Sequence, residues 1–311
     1  VREGAIIRHC QLSRLEHHVT REAPDRVEPS QASQYLKVAR GLLIVGSRET
    51  NMPPTQVQLS VHNISKSFAG KNGDVNVLDN LSFTINERDF VSIIGPSGCG
   101  KTTIFNIIAG LLEPDAGTIT YRGEEIESLR GRVGYMMQKD LLFPWRTVLG
   151  NVLLGLETRG VDRHEAEAKA REYLKQFGLA GFENAYPKTL SGGMRQRVAL
   201  IRTLIMDPDI LLLDEPFSAL DYQTRLYLEG VLKDAVQTYN KTVILVTHDI
   251  DEAVALSKRV VVLSGRPARV KVVHEIDIDA TSPVTARNDA KFSTYFKTLC
   301  AELDIQTEKT A

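Results

Sequence analysis

Phe90-Val91-Ser92-Ile93-Ile94 runs directly into Gly95-Pro96-Ser97-Gly98-Cys99-Gly100-Lys101-Thr102-Thr103, and a helical apolar spacing follows through Ile104, Ile107, Ile108 and Leu111. The first five residues form the short, mostly apolar run that suits a strand buried on both faces. The next nine match G-x-x-x-x-G-K-[ST] at Gly95, Gly100, Lys101 and Thr102. Strand, glycine loop and helix are therefore expected in that order, a context that a plain glycine-rich turn does not require. Glycines let successive backbone N–H groups turn toward one point, and a helix beginning near Lys101 adds its positive dipole end. The loop from Gly95 to Thr103 thus reads as a polyphosphate cradle. Lys101 is directed at the β- and γ-phosphates, and Thr102 supplies a hydroxyl oxygen to Mg²⁺. Cys99 occupies a variable position and reads as a small filler with no redox task.

Farther along, Ile210-Leu211-Leu212-Leu213-Asp214-Glu215-Pro216 is an apolar strand that delivers two adjacent carboxylates at its C-terminal end. In open parallel sheets, ligands bind outside the carboxyl ends of the strands. Asp214 is accordingly expected to hold Mg²⁺ through water, and Glu215 to orient and deprotonate an attacking water. Phosphate charge and partial dehydration raise the pKa of a carboxylate in such a place and make it a better base. An acidic pair also stabilises a helix N-terminus by about 0.3–1 kcal/mol; the neighbouring phosphate loop favours the catalytic reading.

Around these two strands the pattern alternates. Val57, Leu59 and Val61, like Leu81, Phe83 and Ile85, have the period of half-buried strands. Gly117 to Tyr121 and Val133 to Met137 read as strands, Val243 to Val246 as a buried one, and Val148 to Glu157 and Arg163 to Phe177 as helices. Strands alternating with helices imply a parallel sheet covered on both faces. From about residue 139 to 190 helix dominates and buried strands disappear, which marks a helical insertion.

Composition narrows the classes. In 311 residues, 38 Lys+Arg stand against 39 Asp+Glu, so no basic excess supports nucleic-acid binding by bulk electrostatics. Cys10, Cys99 and Cys300 are too few and scattered for a disulfide framework, which points to a reducing compartment. No apolar run approaches the roughly 20 residues needed to cross a bilayer. Residues 1–51 differ from the rest, with apolar periodicity only in short pieces such as Leu42 to Val45. Met52, just before Pro53-Pro54, reads as the natural start, with 1–51 as an extension that is disordered or not natively translated and with His17-His18 solvated.

A second anion site is legible in Leu190-Ser191-Gly192-Gly193-Met194-Arg195-Gln196-Arg197. A helical run through Val198, Ile201, Leu204 and Ile205 follows, so Ser191 sits where an N-cap would, with glycine amides beside it. This stretch resembles the signature of the ATP-binding cassette (ABC) family, and other features follow in that family's order. Gln138 lies in a Q-loop, Ser218-Ala219-Leu220-Asp221 follows the second carboxylate, and His248 follows the strand Thr242 to Thr247. The resemblance covers roughly Val57 to Ile278.

The fold it implies is α/β, a P-loop NTPase (RecA-like) core with an antiparallel β subdomain and an α-helical insertion subdomain. In domain terms, 57–280 is the ATPase domain, with its insertion at about 139–190, and 281–311 is a C-terminal helical tail. The resemblance further implies a head-to-tail homodimer that sandwiches two ATP molecules, each meeting Lys101 and Thr102 of one chain and Ser191 and Gly193 of the other. His248 would contact the γ-phosphate, Gln138 would sense Mg²⁺ and the γ-phosphate, Asp221 would join the nucleotide site, and Phe68 would stack on adenine.

Two functional classes remain at this level. Chromosome-type members insert long coiled coils between phosphate loop and signature, and no sustained heptads occur there; translation-type members carry two sets of motifs, and only one set is present. Asp140-Leu141-Leu142-Phe143-Pro144-Trp145-Arg146 places Phe and the single Trp beside a proline just after the Q-loop. Exposed aromatics there would form a docking surface, and burial would make them an anchor for the insertion. That loop, and Val260 to Pro267, resemble importers of nitrate, sulfonates, taurine and related solutes. The expectation is an ATPase subunit peripheral to the cytoplasmic face of the membrane. It would partner integral membrane permease subunits and, indirectly, a periplasmic or extracellular solute-binding protein, and would bind no nucleic acid. The alternatives are a soluble non-transport ABC ATPase and an exporter ATPase.

Overall fold

The computed structural model describes residues 56–71, 73–129 and 131–305. The expectations for residues 1–51, for Met52 and for His17-His18 lie outside the described residues, as does the end of the tail beyond 305. In chain order the first elements are strands β1 (Val57–Phe68), β2 (Val75–Asn86) and β3 (Phe90–Ile94), helix α1 (Lys101–Ile108), and strands β4 (Ala116–Tyr121), β5 (Glu124–Ile126) and β6 (Val133–Met136). Helices α2 (Val148–Thr158), α3 (Arg163–Gln176) and α4 (Gly192–Leu204) follow, then β7 (Ile210–Asp214), α5 (Tyr222–Thr238), β8 (Thr242–Val246) and α6 (Ile250–Leu256). The last elements are β9 (Arg259–Leu263), β10 (Val270–Glu275), α7 (Pro283–Arg287) and α8 (Phe292–Glu302). The chain divides into two compact units: a sheet unit holding the described residues up to 129 together with 209–215 and 222–305, and a helical unit of 131–208 and 216–221.

The sheet unit carries an antiparallel sheet in the order β2-β1-β4-β5. β2 alternates as its sequence predicts, with Leu81, Phe83 and Ile85 buried and the residues between them exposed. β1 does not. Val57 is exposed while Gln58 and Ser60 are buried beside Leu59 and Val61, so the start of the strand is covered on both faces.

In the second set of strands, β8 and β9 run parallel to β3 on either side, β7 runs parallel to β8, and β10 closes the β9 side antiparallel. Every residue of β3, β7 and β8 is buried. The register pairs Asp214 with Val246 and Ile93 with Val246, so the C-terminal ends of the three strands lie side by side. On one flank, α6, α7 and α8 bury Ile250, Val254, Ala286, Phe292, Leu299 and Cys300 against Ile94, Val260 and Val262.

Beside these helices runs a set of charges, some of them buried. Arg287 of α7 donates to both carboxylate oxygens of Glu229 on α5, at 2.8 and 3.2 Å, and to Asp251 of α6. Glu229 is fully buried. Glu252, also buried, accepts a hydrogen bond from Thr247 at 2.7 Å, and burial pushes its carboxyl up to about 7 despite that bond.

In the helical unit, Asn151 is fully buried and organises the loop before α2. Its side chain accepts from the Phe143 N–H at 2.7 Å and donates to the carbonyls of Phe143, Arg146 and Thr147. Phe143 is therefore buried rather than available for docking, Pro144 is exposed, and Trp145 is half-buried with its ring stacked on Phe143 at 5.2 Å. Arg202 of α4, held down to about 10 by burial, donates to the carbonyls of Asp140 and Leu141, fastening the start of this loop to the helix.

The Glu252 burial sets a pH dependence. The folded protein holds a proton there that the unfolded chain releases near its ordinary value of 4.5. Stability contributed by this group therefore falls as pH rises from about 4.5 to about 7 and then levels off. Glu252→Gln should flatten that fall, gaining relative to the parent by on the order of 1–3 kcal/mol at pH 8. Denaturant titrations of both proteins at pH 5 and 8 check this, and an equal difference at the two pH values would remove the assignment.

Candidate functional site

β3 ends at Ile94 and the chain leaves the sheet through Gly95, where a Cβ would stand 3.0 Å from the Leu263 Cβ and 3.2 Å from the Cys99 sulfur. Pro96, Ser97 and Gly98 are exposed, while Cys99 is buried as a filler would be. Gly98 and Gly100 take positive φ values of 73° and 128°, conformations that side chains resist. A Cβ on Gly100 would also stand 2.8 Å from Leu78 and 2.9 Å from Val77. The loop is thus curled by glycine and seated on β2.

Lys101, at the first position of α1, is buried and donates from Nζ to the Gly95 and Pro96 carbonyls at 2.7 and 3.0 Å. Its ammonium therefore lies across the loop. Thr102 is exposed, and its hydroxyl donates to Asp214 Oδ2 at 2.9 Å; Thr103 is half-buried beside it in α1. Asp214 is buried, which pushes its carboxyl up to about 6, with Glu215 adding repulsion and Thr102 and Lys101 opposing the shift. A hydroxyl and a buried carboxylate side by side are hard oxygen donors of the kind Mg²⁺ takes, one or two from protein and the rest from phosphate and water. The residues fit that ion.

Glu215 follows Asp214 with a left-handed φ of 51°, and its N–H donates to the Val246 carbonyl at 2.8 Å. Such a conformation costs a non-glycine residue about 1 kcal/mol or more and persists only where the surroundings impose it. It accompanies a carboxylate whose Oε1 lies 3.3 Å from the Nδ1 of exposed His248. The strand ends therefore bring the phosphate loop, Asp214, Glu215 and His248 into one unit. Phe68 stands in the same unit at the end of β1, exposed, with Lys66 Nζ 5.8 Å from its ring centre.

The remaining candidates belong to the helical unit. Gln138 follows β6 and is exposed. Ser191 caps α4, accepting from the Met194 N–H at 3.2 Å. A Cβ on Gly193 would meet Leu220 at 2.9 Å and the Ala219 carbonyl at 3.2 Å. Gln196 donates to Ser218 and accepts from the Ala219 N–H, both at 3.0 Å, which ties the Ser218 to Asp221 stretch to the start of α4. Asp221 itself is exposed and attracts the Arg197 guanidinium.

Some contributors have no local sequence signal. Arg266, from the turn after β9, donates to the Gly98 carbonyl at 2.5 Å, holding the phosphate loop from a distant part of the chain. Gln196 lies inside the signature stretch, but its role depends on a loop far along the sequence. The glycine geometry makes a direct expectation: Gly100→Ala should weaken ATP binding at least tenfold and lower stability by about 1–3 kcal/mol, the cost of a strained backbone position. Fluorescent-nucleotide titration and a thermal melt measure the two effects, and wild-type values in both would contradict the geometry.

Residues 78–218 match the family described as ABC transporter. An uncharacterised ABC transporter ATP-binding protein of Methanocaldococcus jannaschii is 48% identical over 224 residues, which cover 72% of this chain and 84% of that protein. The aliphatic sulfonates import ATP-binding protein of Bacillus cereus is 45% identical over 217 residues, 70% of this chain and 85% of that one. Among solved structures, a dimeric cassette of a bacterial ABC transporter aligns with a TM-score of 0.66 and 33% identity, covering 70% of this chain and 98% of that chain. Relatives this similar over most of their own length place the chain in the ABC transporter family: it is an ATP-binding subunit with ATP-hydrolysing activity.

Proposed function

We propose that this subunit drives an importer for nitrate, a sulfonate, taurine or a related small solute, working as a head-to-tail homodimer on separate membrane permease subunits at the cytoplasmic face. A periplasmic or extracellular solute-binding protein would choose the solute. The observation that carries the hydrolytic part is the convergence, at the ends of β3, β7 and β8, of the curled phosphate loop, the Thr102–Asp214 pair and the Glu215–His248 pair. Import is supported by the sulfonate importer relative and by the loop from Asp140 to Trp145. In domain terms the cassette is 57–280, with the helical insertion at 139–190 and 281–311 as a C-terminal segment.

The residues divide the work as follows. The loop amides and Lys101 hold the triphosphate, with Lys101 leaving the Gly95 and Pro96 carbonyls for phosphate oxygens. Phe68 stacks on the base. Mg²⁺, held by Thr102 and by Asp214 with Gln138 as a further ligand, would neutralise the phosphate charge. Glu215 takes the proton of the attacking water, and His248 contacts the γ-phosphate. Ser191 and Gly193 of the opposite protomer bind the same phosphates through the cap hydroxyl and the glycine amides, and Asp221 completes that protomer's contribution.

Two experiments test this. Glu215→Gln keeps the shape of the side chain and removes the base, so it should bind ATP normally and lose about 10²-fold or more in turnover. It should also hold the dimer closed, visible as an ATP-dependent doubling of mass in gel filtration. Normal turnover would reject Glu215 as the base. For the permease dock, exposed Pro144 and half-buried Trp145 replace the fully buried Phe143 as the candidate contacts. Trp145→Ala should leave nucleotide affinity unchanged and weaken permease co-purification by about 2 kcal/mol, as lost aromatic anchors do. Phe143→Ala should instead lower folding stability by about 3–5 kcal/mol. Undiminished co-purification of Trp145→Ala would remove Trp145 from the dock.

A further inference from the structure

His248 is 62% exposed in its side chain and touches only Glu215 among the contacts described above, yet the two residues that flank it are held with unusual firmness. Thr247 is buried, donates its hydroxyl to Glu252 Oε2 at 2.7 Å, and accepts the Asp249 N–H at 3.0 Å with the same oxygen. Asp249 caps α6, its Oδ1 accepting the Asp251 and Glu252 N–H groups at 2.9 and 3.3 Å, and its Oδ2 accepts from Arg225 Nη1 at 2.6 Å. Arg225 Nε also lies 3.9 Å from Glu252 Oε1. One end of the histidine's backbone is therefore fixed through Glu252, the other through Arg225, and Arg225 comes from α5. On the far side, Arg287 joins α5 to α6 through Glu229 and Asp251.

A buried carboxylate is a costly way to hold a hydroxyl, since desolvation penalises its charged form. A packed apolar residue at 252 would serve the stability of α6 better. What the carboxylate supplies is direction: two oxygens, one turned to Thr247 and one toward Arg225, fix the point at which the chain leaves β8 and so where His248 can reach. Placement at this accuracy matters, because a misplacement of about 1 Å can cost about 10²-fold in rate.

We infer that Glu252 and Arg225 are positioning residues for hydrolysis, holding His248 toward Glu215 and the γ-phosphate through Thr247 and Asp249. The inference rests on the reading of His248 as a γ-phosphate contact. Their contacts run to Thr247, Asp249 and each other, so both act on His248 through the loop.

The test is a mutant cycle on the full chain, read by steady-state ATP hydrolysis. Glu252→Ala should lower kcat about tenfold or more with KM for ATP within about twofold, the pattern of an interaction that matters in the transition state. Glu252→Gln keeps an acceptor for Thr247 and should recover kcat to within about threefold of the parent, an expectation of the same geometric argument. If Glu252 works through His248, the double variant Glu252→Ala/His248→Ala should be no slower than His248→Ala alone, since removing two parts of one device is not additive. A role in stability alone would give losses that multiply, and that result would overturn the inference. Undiminished kcat in Glu252→Ala beside a slow His248→Ala would overturn it while leaving the reading of His248 standing. Full activity in His248→Ala would instead remove that reading, and the inference with it. Should Glu252→Ala fail to fold, Arg225→Gln, at a partly exposed position, takes its place in the same cycle, with the same non-additivity expected and the same multiplied loss counting against it.

Discussion

The 2.9 Å hydrogen bond from Thr102 to Asp214 joins the first turn of α1 to the end of β7. It crosses more than a hundred positions of sequence and sits where the glycine loop meets the end of β7. For it to form, β3 and β7 must end level, which requires β8 between them in the observed parallel register. That register in turn needs strands buried on both faces, and β3, β7 and β8 are buried throughout. The apolar runs of the sequence thus serve the site by setting the height at which its polar groups emerge.

Around that bond the protein keeps several polar groups away from water. Asp214 is pushed toward its neutral form by burial, and a divalent cation beside it would favour its charged form. Lys101 lies on its own loop carbonyls, a placement that satisfies the ammonium. Glu215 is held in a left-handed backbone conformation. The burial of Asp214 and the backbone of Glu215 are each unfavourable alone, and the buried strands beneath provide the stability that tolerates them.

The helical unit uses the same economy of buried polar groups for shape. The side-chain amide of Asn151 reaches four backbone groups of the loop from Phe143 to Thr147, its two N–H groups shared among three carbonyls, and Arg202 holds the carbonyls of Asp140 and Leu141. The consequence is a loop with a rigid underside, formed by Phe143, and an outer surface of Pro144 and Trp145. The stretch before Trp145 is tied to the same helix that Ser191 caps, so a displacement of α4 would be felt at the loop directly.

Much of this was legible in the residues themselves. Motifs that are local could be placed because their parts are neighbours in sequence: the glycine loop with Lys101 and Thr102, the carboxylate pair at the end of β7, and Ser191 ahead of α4. The period of β2 was legible for the same reason. Alternation failed for β1, because whether Gln58 and Ser60 face solvent depends on what covers the sheet. The aromatics at 143 and 145 could be read as a surface or as an anchor, and only the packing around Asn151 separated them, burying one and leaving the other half exposed. Arg225, Arg266 and Gln196 carry no local signal, since each acts on a segment far away along the chain, and Glu252, five residues after Thr247, shows its bond to that hydroxyl only once the strand has turned into the helix. Sequence by itself determined which chemical groups are present and which short backbone shapes they favour; tertiary structure alone decided which of them meet, because burial and distance are properties of the folded chain as a whole.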